Sequence, residues 1–259
     1  MSLLKENSNY NSLVEYCLRI ADDRMILGQV LAESCGHLPM LEEDIAITNI
    51  SLDLIGQATS FYEYSAELLG NGETADNLVF FRGEREFKNI LLVEQDNSDF
   101  AYLIVKQFLF DSFDLLFMEA LTKSQNEQFA AIAAKAYKES LYHFRHTKSW
   151  VIRLGDGTDE SNSKINEALE FLWMYVGEMF EIDEVEESLI KENIAVNTNL
   201  FKEKWLTLIN DTFKEATLSM PNINDFMQTG GRKGRHTECL GHILAEMQYI
   251  PRAYPTANW

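Results

Sequence analysis

The sequence is short of the residues that interrupt or cross-link a chain. Its 259 residues include 13 glycines, 4 prolines and 3 cysteines. Scarce glycine and proline favour long uninterrupted elements, and helices are the most economical of these. Cys17, Cys35 and Cys239 form no CxxC pair, which argues against a zinc knuckle and a disulfide framework. With 46% hydrophobic residues, the chain has enough apolar material for a substantial core.

Basic residues and long apolar runs are also scarce. Against 41 acidic residues there are 22 lysines and arginines, which gives a formal net charge of -19. Such a surface repels phosphate backbones, so we expect no nucleic-acid partner. No run approaches the roughly 20 apolar residues of a membrane span, and the N-terminus lacks the apolar segment of a signal peptide. We therefore expect a cytoplasmic protein that does not bind membranes.

Hydrophobic periodicity predicts an all-α fold with four long helices, at about residues 11–35, 41–69, 98–123 and 127–154. The first is predicted to begin at a capping residue, Asn11 or Ser12. Four such helices suit an antiparallel bundle with one longer crossover. The crossover, residues 73–97, is predicted as a short helix plus loop, with a strand in NILLV as the alternative.

The second helix has the clearest pattern in the sequence. Apolar and small residues recur at alternating steps of four and three, which is typical of a seam packed lengthwise against other helices. The positions of this seam are Leu41, Ile45, Thr48, Leu52, Ile55, Thr59, Tyr62, Ala66 and Leu69. The glycines of GNG, residues 70–72, are predicted to end the helix.

The remainder of the chain is predicted to form shorter helices, at about residues 163–181, 200–219 and 237–250, the last ending before Pro251. No flexible linker separates them from the long helices. We expect a single domain over residues 1–259, with a bundle core at about 11–154 and additional packed helices at about 163–252.

Acidic residues on these helices suggest a metal site. Four-helix bundles often hold two metal ions through a Glu on each of two helices and a Glu-x-x-His on each of the other two. Acids on apolar helix faces are costly unless they are paired or bound to metal. The residues in the corresponding region are Glu33, Asp53, Asp111, Glu139 and His143, with Asp114 close to Asp111 in FLFDSFDLLF.

The histidine inventory argues against a complete two-metal centre. The five histidines are 37, 143, 146, 236 and 242, and none has an acid three positions before it. The alternative is that the acids satisfy one another, or Arg145 and nearby lysines, through buried hydrogen bonds and ion pairs. A single weak metal site at Glu139 and His143 stays open, because a spacing of four residues can also hold a metal.

One basic segment stands out from the acidic background. TGGRKGR carries Arg232, Lys233 and Arg235 just before a predicted helix. It lacks the length and the lysine position of a P-loop. The cluster could receive phosphate or the carboxylates of a partner, and a solvated basic turn that balances local acid is the alternative.

Four long segments closely resemble the C subunits of phenylacetyl-CoA epoxidase, a multicomponent bacterial oxygenase. They are GHLPMLEEDIAITNISLDLIGQATSF, FFRGEREFKNILLVEQDNSDFA, AKAYKESLYHFRHTKSWVIRLGDGTDES and TGGRKGRHTECLGHILAEMQYIPRAYP. The likeness runs in register from about residue 13 to 259. It implies a ferritin-like four-helix bundle with additional C-terminal helices.

The resemblance also implies a role. In that family the C subunit is structural and non-catalytic, and it supports a homologous A subunit that holds the di-iron centre and binds the CoA thioester. This chain would then bind no cofactor. The vestigial metal positions would be Glu33, Asp53, Asp111, Glu139 and His143. Its partners would be the A subunit and other subunits of the complex, in a hetero-oligomer, and a homodimer of the isolated chain stays open. The basic segment would contact a subunit or the phosphates of CoA. The rival interpretation is a self-sufficient ferritin-like di-metal oxidase.

Overall fold

The computed structural model describes residues 2–222 and 226–257, and for residues 2–10 it describes the backbone. Within these residues there is no β-strand, so the predicted all-α class is confirmed and a strand in NILLV is excluded. The α-helices are α1 (Ser2–Glu33), α2 (Leu41–Leu69), α3 (Ala75–Phe80), α4 (Phe100–Leu121), α5 (Glu127–Gly155), α6 (Asp159–Trp173), α7 (Glu184–Lys191), α8 (Lys202–Glu215), α9 (Glu238–Met247) and α10 (Tyr249–Ala253). In the same described part, no helix is both long and apolar enough to cross a bilayer.

The ends of the long helices follow local signals with one exception. Helix α2 ends where predicted, and its C-cap Gly70 has φ 64, a conformation that glycine adopts without a steric penalty. Helix α4 begins at the cap Asp99, whose carboxylate accepts from the backbone N–H groups of Ala101 and Tyr102. The predicted start of α1 at Asn11 or Ser12 is wrong, because the helix already runs from Ser2. No glycine or proline precedes those residues to interrupt it.

The C-terminal helix also departs from the prediction. The expected single helix before Pro251 is two helices, α9 and α10, joined at Gln248. Pro251 lies in the first turn of α10, where its missing N–H would have no intrahelical partner. Proline is therefore compatible with this helix, and the prediction that the helix ends before it is wrong.

The chain divides into two compact units. The first comprises Met1–Asp96 with Gly230–Trp259, and the second comprises Asn97–Thr229. Each contains one long helical hairpin, α1 with α2 in the first and α4 with α5 in the second. The single domain expected from the sequence stays a prediction.

In the first unit, α1 and α2 approach closely at Gly28. A Cβ placed there would lie 2.9 Å from Cγ1 of Ile55 and 3.2 Å from the carbonyl oxygen of Ser51. The hydroxyl of Ser51 donates a 2.7 Å hydrogen bond to the carbonyl oxygen of Gly28, and the thiol of Cys17 donates to that of Phe61. The hairpin is thus held by small residues and side-chain-to-backbone bonds as well as by apolar packing.

The predicted seam of α2 does not match its buried face. The helix buries Ile47, Ile50, Leu54 and Phe61 in the first unit. The seam residues Leu41, Ile45 and Leu52 are exposed instead. Within the described residues, the predicted packing of the seam against other helices is therefore wrong for its N-terminal half, because the apolar residues that are buried there lie on the opposite side of the same helix.

In the second unit, α4 is buried on nearly every side, as its dense apolar sequence predicts. Aromatic rings fill the space between α4 and the shorter elements, and Phe113 contacts both Phe180 and Phe201. The indole of Trp205 on α8 donates a 2.8 Å hydrogen bond to Ser112 and stacks against Trp173. These contacts fix the position of α4, which carries the two acids of the polar cluster described next.

Candidate functional site

A buried polar cluster lies where α4 faces α5 in the second unit. The buried residues of α5 recur at steps of three and four, so they form one stripe along the helix. In the middle of this otherwise apolar stripe stand Ser140, His143 and Thr147. Opposite them, α4 contributes Asp111 and Asp114, which are both almost fully buried.

Protein donors satisfy the carboxyl groups of this cluster. Asp111 accepts hydrogen bonds from Nε2 of Gln107 at 2.6 Å and from Oγ1 of Thr147 at 2.9 Å, one on each of its oxygens. The hydroxyl of Ser140 donates a 2.6 Å hydrogen bond to Oδ2 of Asp114. Each oxygen of Asp111 and Oδ2 of Asp114 therefore has a hydrogen-bond donor from a neutral side chain of the protein.

Burial changes the protonation of Asp111. Desolvation raises the pKa of its carboxyl group to about 7, and the nearby His143 and the two hydrogen bonds oppose this rise only in part. A carboxyl group with such a pKa is partly protonated at neutral pH. A metal ligand must be deprotonated, so a cation bound here would have to displace the proton that burial favours.

Three further positions were predicted for the vestigial site. Glu33 is exposed at the end of α1, and Asp53 is half-buried on α2, both in the first unit. Glu139 is half-buried, one turn before His143 on α5. Among the predicted residues, the structure brings Asp111 and His143 together in the second unit, and the five-residue site as a whole stays a prediction.

The donor set does not fit a two-metal centre. Within residues 11–222 and 226–257, no group of three or more His, Cys, Asp and Glu side chains is placed to hold a metal ion. The buried polar cluster includes one imidazole, that of His143, whereas the di-metal recipe needs two.

Sequence reasoning missed the donors that complete the cluster. Ser140 and Thr147 stand three residues before and four residues after His143, which places them on its stripe of α5. Gln107 stands four residues before Asp111 on α4 and reaches its carboxyl group. The helical spacing was therefore a signal that could have identified all three.

One residue of the basic segment, Arg232, forms hydrogen bonds within the first unit. The guanidinium of Arg232 donates to both carboxylate oxygens of Asp23, at 2.9 and 2.8 Å, and to the carbonyl oxygens of Arg19 and Lys88. Burial raises the pKa of Asp23, and the charge of Arg232 acts against that rise. Arg232 therefore neutralises a buried acid.

Lys233 and Arg235 are exposed beside it. Their predicted contact with a subunit or with CoA phosphates stays a prediction.

His236, in the same segment, joins a second buried pair. Its Nδ1 lies 2.7 Å from Oε2 of Glu94, and its Nε2 lies 3.0 Å from the carbonyl oxygen of Phe87. The carboxylate of Glu94 also accepts from Thr237 and Asn89. Since a carbonyl oxygen only accepts hydrogen bonds, Nε2 of His236 carries a proton, and Nδ1 carries one as well when Glu94 is an ionised carboxylate.

Comparison with known proteins agrees with the resemblance seen in the sequence. The family described as Phenylacetic acid catabolic protein matches residues 3–259. The chain is 45% identical over 249 residues to the C subunit of 1,2-phenylacetyl-CoA epoxidase from Escherichia coli (strain K12), and the alignment covers 96% of this chain and 100% of that relative. The chain therefore belongs to the phenylacetic acid catabolic protein family.

Proposed function

We propose that this chain is a structural, non-catalytic subunit of a multicomponent phenylacetyl-CoA 1,2-epoxidase. In this role it supports a catalytic A subunit that holds the di-iron centre, in the cytoplasm and in aerobic phenylacetate degradation. The relative from Escherichia coli, by name the C subunit of that enzyme, supports the assignment at 45% identity. The chain acts there within a hetero-oligomer and binds no cofactor of its own.

The buried polar cluster is the observation that supports a non-catalytic role for this chain. Gln107 and Thr147 each donate to one oxygen of Asp111, and Ser140 donates to Asp114. An active di-metal centre needs carboxylates that are ionised and open toward the ions. A cluster completed by hydroxyl and amide groups holds α4 against α5 without a metal.

Co-purification tests the scaffold role. The catalytic subunit is purified with and without this chain, and its solubility and epoxidase activity are compared. We expect activity and solubility to depend on the presence of this chain. A catalytic subunit that is fully active and soluble alone would refute the scaffold role.

Metal analysis of the isolated chain tests the rival oxidase. Expression in iron-supplemented medium, followed by elemental analysis, should give far less than one iron per chain. A content of about two iron ions per chain would support a self-sufficient di-metal oxidase instead. An Asp111→Asn/His143→Ala variant is the matched control, because specific iron bound at the cluster would be lost from it.

A further inference from the structure

Helix α2 carries an apolar stripe on the side that faces away from its buried residues. Leu41, Ile45 and Leu52 are 71%, 54% and 61% exposed. They are spaced by four and seven residues, which places them within about 40° of one another around the helix axis. We call these three residues the outer stripe.

The outer stripe is separate from the core-facing side of α2. On the opposite side, Ile50 and Leu54 are fully buried in the first unit. A surface helix usually has one apolar face and one polar face. An additional row of large aliphatic side chains in contact with water is typical of a surface that another molecule covers.

Small residues lie between and beyond the members of the outer stripe, on the same side of α2. Thr48 and Thr59 are half-buried on the same side. Gly56 is exposed, and a Cβ placed there would meet no heavy atom of the described residues within 4 Å. Since side-chain size sets how closely two helix axes approach, this region leaves room for a second helix to lie along α2.

The charge of α2 indicates which kind of partner helix would pack favourably on the outer stripe. The helix contains no Lys, Arg or His, and its acids are Glu42, Glu43, Asp44, Asp53, Glu63 and Glu67. Among these acids, Glu42 is exposed beside Leu41, and Glu63 is exposed about three turns beyond Leu52 on the same side of the helix. A second copy placed on this surface would bring like charges together, whereas a helix with lysines or arginines beside its apolar face would be attracted.

We propose that the outer stripe of α2 is the docking surface for an amphipathic helix of another subunit, with an apolar face bordered by basic residues. This inference rests on the proposed function, because it identifies the surface by which the chain joins the complex. The apolar contacts supply affinity, and the acids orient the partner helix and accelerate its association.

The test is a binding measurement with an Ile45→Glu/Leu52→Glu variant. Affinity for the purified catalytic subunit, and for each remaining subunit in turn, is measured by surface plasmon resonance. We expect the variant to lose at least about tenfold in affinity for one of these subunits. Both positions are exposed, so its thermal melting should match that of the wild type. Leu200→Glu is the matched control, because Leu200 is 84% exposed and lies in the second unit, and it should bind normally.

A charge-reversed variant tests the chemistry of the partner. Glu42→Lys/Glu63→Lys should weaken the same interaction and reduce its sensitivity to salt, because basic groups on the partner would then be repelled. Tighter binding by this variant would contradict the predicted basic border. Light scattering of the isolated chain tests the second-copy alternative, and a dimer that becomes monomeric in the Ile45→Glu/Leu52→Glu variant would overturn the proposal.

The two proposals fail in different ways. If the complex forms and depends on this chain, but the Ile45→Glu/Leu52→Glu variant binds every subunit normally, the docking surface is wrong and the scaffold role stands. If the catalytic subunit is fully active and soluble alone, the scaffold role fails whatever the variant does.

Discussion

Oγ1 of Thr147 lies 2.9 Å from Oδ2 of Asp111 and also 3.0 Å from the carbonyl oxygen of His143. The hydroxyl can therefore donate to an ionised Asp111, or donate to the carbonyl oxygen while its own oxygen accepts a hydrogen bond from the neutral acid. On the other carboxyl oxygen, Gln107 presents its amide, whose Oε1 has no hydrogen-bond partner among the described residues. An amide turned by 180° would let this oxygen accept from a protonated Asp111. The cluster can thus accommodate a neutral carboxyl group.

The protonation of Asp111 should make the stability of the chain depend on pH. Burial raises the pKa of this carboxyl group from 3.8 to about 7 on folding. The folded state therefore favours the proton, so the stability is fully present below pH 4 and falls as the pH rises through 7. Asp111→Asn mimics the neutral acid and should be more stable than the wild type at pH 8, by up to about 4 kcal/mol. The difference should shrink toward pH 4.

Urea unfolding at several pH values between 4 and 8 measures this difference. Asp156→Asn is the control, because Asp156 is exposed just after α5, and its effect should not vary over the same range. A constant difference between Asp111→Asn and the wild type would show that the carboxyl group keeps one protonation state throughout.

Arg232 should contribute more to stability than to ligand binding. Arg232→Ala leaves Asp23 buried without its counter-ion, which should lower the free energy of unfolding by about 3–5 kcal/mol. Burial already raises the pKa of Asp23, and the variant removes the guanidinium that opposes this rise. The loss should therefore be larger at high pH, where the buried carboxyl group has to ionise. Lys233→Ala should change the free energy of unfolding by less than about 0.5 kcal/mol, since Lys233 is exposed.

Chemical denaturation of the isolated chain gives these values. The double variant Asp23→Asn/Arg232→Ala should recover part of the loss, because it removes the buried charge together with its partner. An Arg232→Ala variant as stable as the wild type would mean that the pair is not formed in solution.

The helices were predictable because their signals are local. Alternating steps of four and three define α2, and Gly70 ends it where the prediction placed its end. The side of α2 that faces the core was not predictable, because both sides carry aliphatic residues. Periodicity alone cannot distinguish a core-facing row from a row that meets another subunit.

The buried ion pairs were not predictable for a different reason. Asp22 pairs with Arg82, 60 residues away, and Asp23 pairs with Arg232, 209 residues away. No spacing rule encodes contacts between elements so distant in sequence. The shortage of histidines, in contrast, was visible in the sequence. The partners predicted for the acids of α4 were one another, Arg145 or nearby lysines, whereas the hydrogen bonds described above come from Gln107, Ser140 and Thr147.

Two helical glycines should respond in opposite ways to the same substitution. Gly28→Ala places a methyl group 2.9 Å from Cγ1 of Ile55 and 3.2 Å from the backbone oxygen of Ser51, so it should destabilise the chain by about 1–3 kcal/mol. Gly56→Ala meets open space and should stabilise it by about 0.5–1 kcal/mol through helix propensity. Thermal and urea unfolding of both variants measure these effects, and a stabilising Gly28→Ala would contradict the close approach of α1 and α2.

His236 should be doubly protonated at neutral pH, because both of its ring nitrogens face groups that accept hydrogen bonds. His236→Ala would leave the buried carboxylate of Glu94 without its cation and should cost about 3–5 kcal/mol in unfolding free energy. His37→Ala is the control, since His37 is exposed and its removal should change the free energy by less than about 0.5 kcal/mol. Nitrogen-15 chemical shifts of the imidazole test the charge directly, with His236→Ala used to assign its signals. A neutral ring with one bare nitrogen at pH 7 would contradict the ion pair and would require Glu94 to hold the proton instead.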